Sequence, residues 1–118
     1  MEQAKQHLIL VPGSLCDERV WRIQAAALAD IATVTIAHLH GLDSLDAMAE
    51  AILAHAPERF ALCGFSMGGR AALEVFRRAP DRITRLALID ASVHPIADGE
   101  AARRQPQIDL ARTQGMAA

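Results

Sequence analysis

Residues 60–79, FALCGFSMGGRAALEVFRRA, constrain this chain more than any other stretch. Phe60, Ala61, Leu62 and Cys63 are a short apolar run of the kind that makes a strand buried on both faces. Gly64-Phe65-Ser66-Met67-Gly68 follows at once. Beyond Gly69, the spacing of Ala72, Leu73, Phe76 and Ala79 predicts a helix with those residues on its inner face. A chain that passes from strand to helix through G-x-S-x-G has to reverse in one tight turn. The two glycines fit such a turn because a side chain on either would collide with the neighbouring strand and helix. The serine then sits on a strained apex, with its Oγ above the carboxyl edge of a sheet and the N–H of Met67 opening the helix beside it. That is the layout of a nucleophile elbow. G-x-S-x-G arises by chance in roughly 3% of chains this long, and requiring a strand before it and a helix after it lowers that several-fold. Ser66 is therefore read as a nucleophile rather than as an incidental residue of a glycine-rich turn.

Apolar runs of the same kind recur along the chain. His7, Leu8, Ile9, Leu10 and Val11 form one, closed by the turn residues Pro12, Gly13, Ser14 and Leu15. Asp17 is placed to cap a helix running to about residue 29, with Val20, Trp21, Ala25 and Leu28 as its inner stripe. Thr33, Val34, Thr35 and Ile36 read as a second strand from their β-branched content. Asp43 or Ser44 then caps a helix whose Leu45, Met48, Ala49, Ile52, Leu53 and Ala56 keep strict helical spacing up to Pro57. Arg85, Leu86, Ala87, Leu88 and Ile89 make a fourth strand, with Asp90 at its carboxyl end. Strand starts near 8, 33, 60 and 85 are 25, 27 and 25 residues apart. That rhythm is βα repetition, which predicts an α/β three-layer sandwich: a parallel sheet of about four strands with helices on both faces. From about residue 98 the pattern weakens, and Ile108, Leu110 and Ala111 suggest one more amphipathic helix.

Composition narrows the chemistry. With 12 basic against 14 acidic residues, nothing points to nucleic acid or to an anionic membrane. Apolar runs break within about ten residues, too short to span a bilayer. The polar start MEQAKQH lacks an apolar signal core, which predicts a cytoplasmic protein. Cys16 and Cys63 are expected to be free thiols, Cys16 as a small apolar packing residue and Cys63 in the core. Trp21 is expected to pack its helix on the sheet. His38 and His40 end a strand together, as a metal pair would, but without a third ligand they read as solvent-facing loop residues. No cofactor or metal is called for.

GFSMGG, with LILVPGSLCDERVW near the start and LALIDAS further on, resembles the α/β-hydrolase superfamily. More narrowly, it resembles the small esterase-like members whose first loop reads PG-x-L-C-D rather than His-Gly. The resemblance runs through the whole chain in order and corresponds to the N-terminal half of such an enzyme. It implies that residues 1–97 form that half of the core, that residues 98–118 begin a cap or lid helix, and that the first strand and the elbow strand are central neighbours. It further implies a serine hydrolase acting on a carboxylic ester or related acyl substrate. Ser66 would attack the carbonyl, and the backbone N–H groups of Met67 and Ser14 would hold the oxyanion. Pro12 stands where the family usually has histidine, and Leu15 is the alternative second donor.

In this fold an acid and then a histidine follow the serine, because a hydroxyl needs an adjacent base. The strands that usually carry them come after Ile89, beyond this chain. Asp90 is an in-chain candidate for a displaced acid, or else a residue that hydrogen-bonds backbone in the following turn. His94, ahead of Pro95, is either the base or a loop residue at the site mouth. The chain alone is expected to be nearly inactive. The alternative is a non-catalytic hydrolase-like module. In either case the fourth strand would lie on an open edge, which predicts pairing with a second copy or with a complementary C-terminal fragment.

Overall fold

Ile9 and Val11 point to one side of the first strand and Leu8 and Leu10 to the other, and both sides are covered. The computed structural model describes residues 5–92 and 98–115. Among them are four parallel strands, β1 (Gln6–Val11), β2 (Ala32–Ile36), β3 (Phe60–Phe65) and β4 (Ile83–Ile89), in the order β2-β1-β3-β4. The helices are α1 (Arg22–Leu28), α2 (Leu45–His55), α3 (Met67–Arg78) and α4 (Glu100–Gln114). On one face Ile9, Val11, Phe60 and Leu62 pack against Met48, Ala49 and Ile52 of α2 and Ala71, Ala72 and Val75 of α3. On the other face Leu10 and Cys63 lie under Trp21, with Ala25 of α1 beside them. The expected three-layer α/β arrangement is what the chain adopts. Val11, Leu10, Phe60 and Leu62 are essentially inaccessible, and burying each stabilises the fold by about 1.5–3 kcal/mol.

Strand order places the site. β2 lies on one side of β1 and β3 on the other, so the connection after β1 turns onto one face while that after β3 turns onto the opposite face. The two loops part at the carboxyl ends of β1 and β3, and a crevice opens between them. In open α/β sheets this reversal point is where ligands bind.

Local signals explain most element ends. The Ser44 Oγ accepts the Ala47 N–H at 3.0 Å and starts α2. Ala56, ahead of Pro57, is extended and ends it. Arg82 donates to the carbonyls of Ala56, Pro57 and Glu58 at 2.9–3.2 Å and lies over the Phe60 ring, tying the α2–β3 connection to the start of β4.

Two expectations need correcting. The helix anticipated from Asp17 is a 3₁₀ turn (Glu18–Trp21) followed by α1. The tighter winding breaks the phase of the stripe, so Trp21 is buried while Val20 is 37% exposed. In α3 the inner stripe is Gly68, Ala71, Ala72 and Val75, and Phe76 is 41% exposed. Gly68 rests on the end of β1. At about 100° per residue, Val75 lies roughly 20° from Gly68 around the helix and Phe76 roughly 80°. The glycine contact therefore fixes the rotation, and Val75 is the residue turned inward.

The helix anticipated after residue 98 is α4. No residue of it is buried, and Pro106 lies inside it. Among the described residues no helix is long and apolar enough to cross a membrane.

Candidate active site

Only Ser66 separates β3 from α3, and its backbone has φ 56° and ψ −120°. A residue with a side chain enters that region at a cost of about 1–3 kcal/mol. The surroundings enforce it. Ser66 N–H donates to Ile89 O at 3.0 Å, and Gly69 N–H donates to Ser66 O at 2.9 Å. A Cβ on Gly64 would lie 2.3 Å from the Gly68 carbonyl oxygen, and one on Gly68 would lie 2.4 Å from Pro12 O and 2.5 Å from Val11 O. Both glycines are thus required by close backbone approach, one to the new helix and the other to β1, as the sequence implied.

The same conformation frees the hydroxyl. Ser66 and Ser44 both stand at the N-cap of a helix. Ser44 is extended (φ −141°, ψ 153°), and its Oγ caps the helix in the ordinary way. Ser66, with positive φ, makes no side-chain hydrogen bond to α3. Its Oγ is left for other partners at the rim of the sheet. Met67 is the first residue of α3, so its N–H lacks an intrahelical acceptor and lies at the positive end of the helix dipole.

The loop after β1 meets this apex from the other side. Cys16 N–H donates to Gly13 O at 3.2 Å, closing a tight turn in which Leu15 has φ 61° and is 85% exposed. Ser14 and Met67, whose amides the sequence nominated together, line one cleft of about 330 Å³. Ser66 stands next to Met67 without lining that cleft. The far wall comes from the β2–α2 connection and α2, with His38, Leu39, His40, Leu42 and Met48. No local sequence signal marks these residues as a site; only the strand order brings them to Met67.

Among the described residues, the non-glycine residues with positive φ are Leu15, Ser66 and Asp90. They follow β1, β3 and β4, so backbone strain is gathered at one edge of three adjacent strands. Asp90 is exposed, and its carboxylate has no hydrogen bond among the described residues. The turn in which a capping bond was anticipated for it continues into residues 93–97, outside the described residues. His94 lies outside the described residues. His38 and His40 are exposed, as expected of loop residues.

Cys16 departs from expectation. It is exposed, with its Sγ 3.4 Å from Ser14 O, because the left-handed turn at Leu15 directs this stretch outward. Cys63 is a core residue of β3, and burial pushes its thiol pKa up. At the cleft rim, the Asp17 carboxylate accepts the Arg19 backbone N–H at 3.0 Å and the guanidinium at 2.8–3.1 Å. These hydrogen bonds hold its pKa at about 2. Trp21 packs as anticipated, but its buried Nε1–H has no acceptor among the described residues.

Comparison with known proteins agrees with this arrangement. The chain is 31% identical over 121 aligned residues to the pimeloyl-[acyl-carrier protein] methyl ester esterase of Vibrio cholerae, an alignment covering 96% of this chain and 48% of that protein. Its fold matches an enol-lactonase from Burkholderia xenovorans with a TM-score of 0.79 at 27% identity, over 97% of this chain and 48% of the other. It also matches an esterase from Thermogutta terrifontis with a TM-score of 0.81 at 24% identity, over 93% and 46%. The chain thus spans just under half the length of each of these proteins. Residues 6–118 match the sequence profile of the α/β hydrolase fold. This chain belongs to the α/β-hydrolase family.

Proposed function

We propose that this chain carries the nucleophile and oxyanion donors of a serine hydrolase that cleaves a carboxylic ester or related acyl substrate. Ser66 Oγ adds to the carbonyl carbon, and its proton passes to a general base. The N–H groups of Met67 and Ser14 hold the oxygen that becomes negative, where preformed donors act most strongly. Collapse expels the alcohol, which takes up the proton, and water then releases the acyl group by the same route. The base and its supporting acid are assigned to a segment outside these 118 residues. Asp90 and His94 are the candidates within the chain, and α4 begins a cap over the site. The observation that carries the reading is the positive-φ backbone of Ser66, which withholds its hydroxyl from the helix cap. The esterase names of its relatives support the substrate class.

The test is incubation of the protein together with the segment that supplies the base, since the chain alone is expected to be nearly inactive, with an alkyl fluorophosphonate, followed by mass analysis of the tryptic peptide 60–70. An adduct on Ser66, absent from Ser66→Ala, is expected. No adduct after hours would leave the non-catalytic module as the better description. We further assign the outer edge of β4, where Ile89 is 47% exposed, to a pairing strand from a complementary segment or a second copy. A monodisperse monomer with a cooperative thermal transition in sedimentation and melting experiments would refute that assignment.

A further inference from the structure

We infer that β2 is a self-recognition strand, and that two copies of the chain join through its outer edge into a closed dimer with one continuous sheet. β2 ends the sheet, and its residues Ala32, Thr33, Val34, Thr35 and Ile36 include no charge and no proline. Edge strands that stay single are commonly blunted by charge, proline or a bulge; β4, at the other edge, carries Arg85. The Ala37 N–H donates to Leu10 O of β1 at 2.9 Å, so by strand alternation Thr33 and Thr35 also turn their backbone groups to β1. Those of Ala32, Val34 and Ile36 point away from it, as donors and acceptors for a further strand.

Three observations choose a second copy as the occupant. First, the strand is complementary to itself. Antiparallel pairing about a two-fold axis at Val34 sets Val34 against its own mate and Ala32 against Ile36, so each outward-pointing residue of β2 exchanges both its N–H and its C=O bond. Thr33 then faces Thr35, a favourable cross-strand pair. Second, charge matches at the ends of the seam. In this register Asp30 of one copy lies opposite His38 of the other; both are exposed, and the carboxylate can accept an imidazole N–H. Third, the edge offers both an apolar hole and an apolar plug. A cavity of about 210 Å³ opens between β2 and α2, with Thr35, Ala37, Ala51, Ile52 and His55 in its wall. Ile31 is 70% exposed and, two residues before Thr33, belongs to the cavity face of the strand. The same register sets it opposite Ala37 of the other copy, at the mouth of that cavity. A cavity of about 150 Å³ already takes benzene, so an isoleucine side chain fits this one. Each copy uses β2 once, so the assembly closes as a dimer and leaves β4 at both outer ends for the complementary segment assigned to it above.

Sedimentation equilibrium and oxidative cross-linking of the full 118-residue chain test this, in a Cys16→Ser background that removes the exposed thiol. The chain is expected to be a dimer that dissociates on dilution. Thr33→Lys, which sets a charge against Thr35 on each side of the seam, is expected to weaken dimerisation about tenfold or more. Ile31→Ser, which leaves the cavity unfilled, is expected to weaken it to a similar degree. Both positions are exposed, so folding is not at stake, and Thr84→Lys on β4 is expected to leave the dimer intact. The register has its own readout. Thr33 and Thr35 would form a non-hydrogen-bonded pair with Cα atoms about 4.5 Å apart, within disulfide reach. Thr33→Cys mixed with Thr35→Cys should therefore oxidise to a covalent dimer, and each variant alone should not. A chain that stays monomeric leaves this edge to another occupant and overturns the proposal. So does a dimer dissociated by Thr84→Lys but not by Thr33→Lys, which places the pairing on β4. A cross-link that forms equally well in either variant alone gives a different register and overturns it too.

Discussion

Replacing Ser66 by glycine should make the protein more stable. Its φ of 56° and ψ of −120° carry a strain of about 2 kcal/mol for any residue with a Cβ. Glycine removes that strain but loses about 0.7 kcal/mol through the greater freedom of the unfolded chain. The net gain over Ser66→Ala, which keeps the Cβ, is then about 1.3 kcal/mol, or roughly 5 °C in melting temperature for a domain of this size. Two controls fix the interpretation. Ser66→Ala should change stability by less than about 0.5 kcal/mol because the hydroxyl makes no cap bond, whereas Ser44→Ala loses a real cap and should cost about 1 kcal/mol. Ala26→Gly, on the exposed side of α1, should also cost about 1 kcal/mol, the opposite sign for the same new residue. Urea unfolding followed by fluorescence of the single, buried tryptophan measures all four. A Ser66→Gly protein no more stable than Ser66→Ala would refute the claim of stored strain. A Ser66→Ala loss equal to that of Ser44→Ala would show that the hydroxyl caps α3 after all.

Other consequences follow from packing and charge. Gly64→Ala should cost about 3 kcal/mol or more, because its Cβ would meet the backbone oxygen of Gly68 and no rotamer relieves that. Gly41→Ala, at φ 80° with open space around it, should cost only about 1–2 kcal/mol; equal losses in urea midpoints would contradict the steric account. Trp21→Phe removes a buried donor without an acceptor among the described residues and should change stability by under about 1 kcal/mol, against about 4 kcal/mol for Trp21→Ala. A Phe variant as damaged as the Ala variant would mean that Nε1–H is satisfied. Hydrogen bonds from Arg77 and Arg78 lower the Glu74 pKa from 4.5 to about 2. Because the folded value lies below the unfolded one, its contribution is present above about pH 4.5 and is lost as pH falls toward 2. The stability difference between the wild type and Glu74→Gln should therefore shrink across that interval, and a difference independent of pH would exclude the effect.

The legible part of this fold was the part set by short-range physics. Continuous apolar runs mark β1, β3 and β4, and β-branched content marks β2 although it is only five residues long. The cap at Asp43 or Ser44, of which Ser44 is the one that bonds the helix, and the stop at Pro57 are local chemistry. What escaped was set by contacts between distant residues. The rotation of α3 depends on Gly68 touching Pro12 and Val11, and periodicity alone chose Phe76 where Val75 turns inward. The outward turn of Cys16 follows from positive φ at Leu15, a conformation that leucine does not advertise. The cleft wall of Leu39, Leu42 and Met48 belongs to a different βα unit from Met67, so no spacing within either unit announces it.

The elbow itself joins these two kinds of information. G-x-S-x-G looks like a local signal, yet each glycine answers to something outside a simple turn. Gly64 makes room for the backbone of α3, and Gly68 makes room for the carbonyls at the end of β1, more than fifty residues earlier. The third restraint, Ser66 N–H on Ile89 O, comes from β4. Together three strands over-determine a backbone conformation that serine alone would avoid. The same pentapeptide between a strand and a helix, without carbonyls from two flanking strands to hold it, would relax to an extended N-cap. Its hydroxyl would then bond the helix, as that of Ser44 does here. The backbone conformation of Ser66 is in this sense a property of the strand order β2-β1-β3-β4, and a change at Pro12 or Ile89 that shifts either flanking carbonyl should release the serine into its helix as surely as a change within the motif.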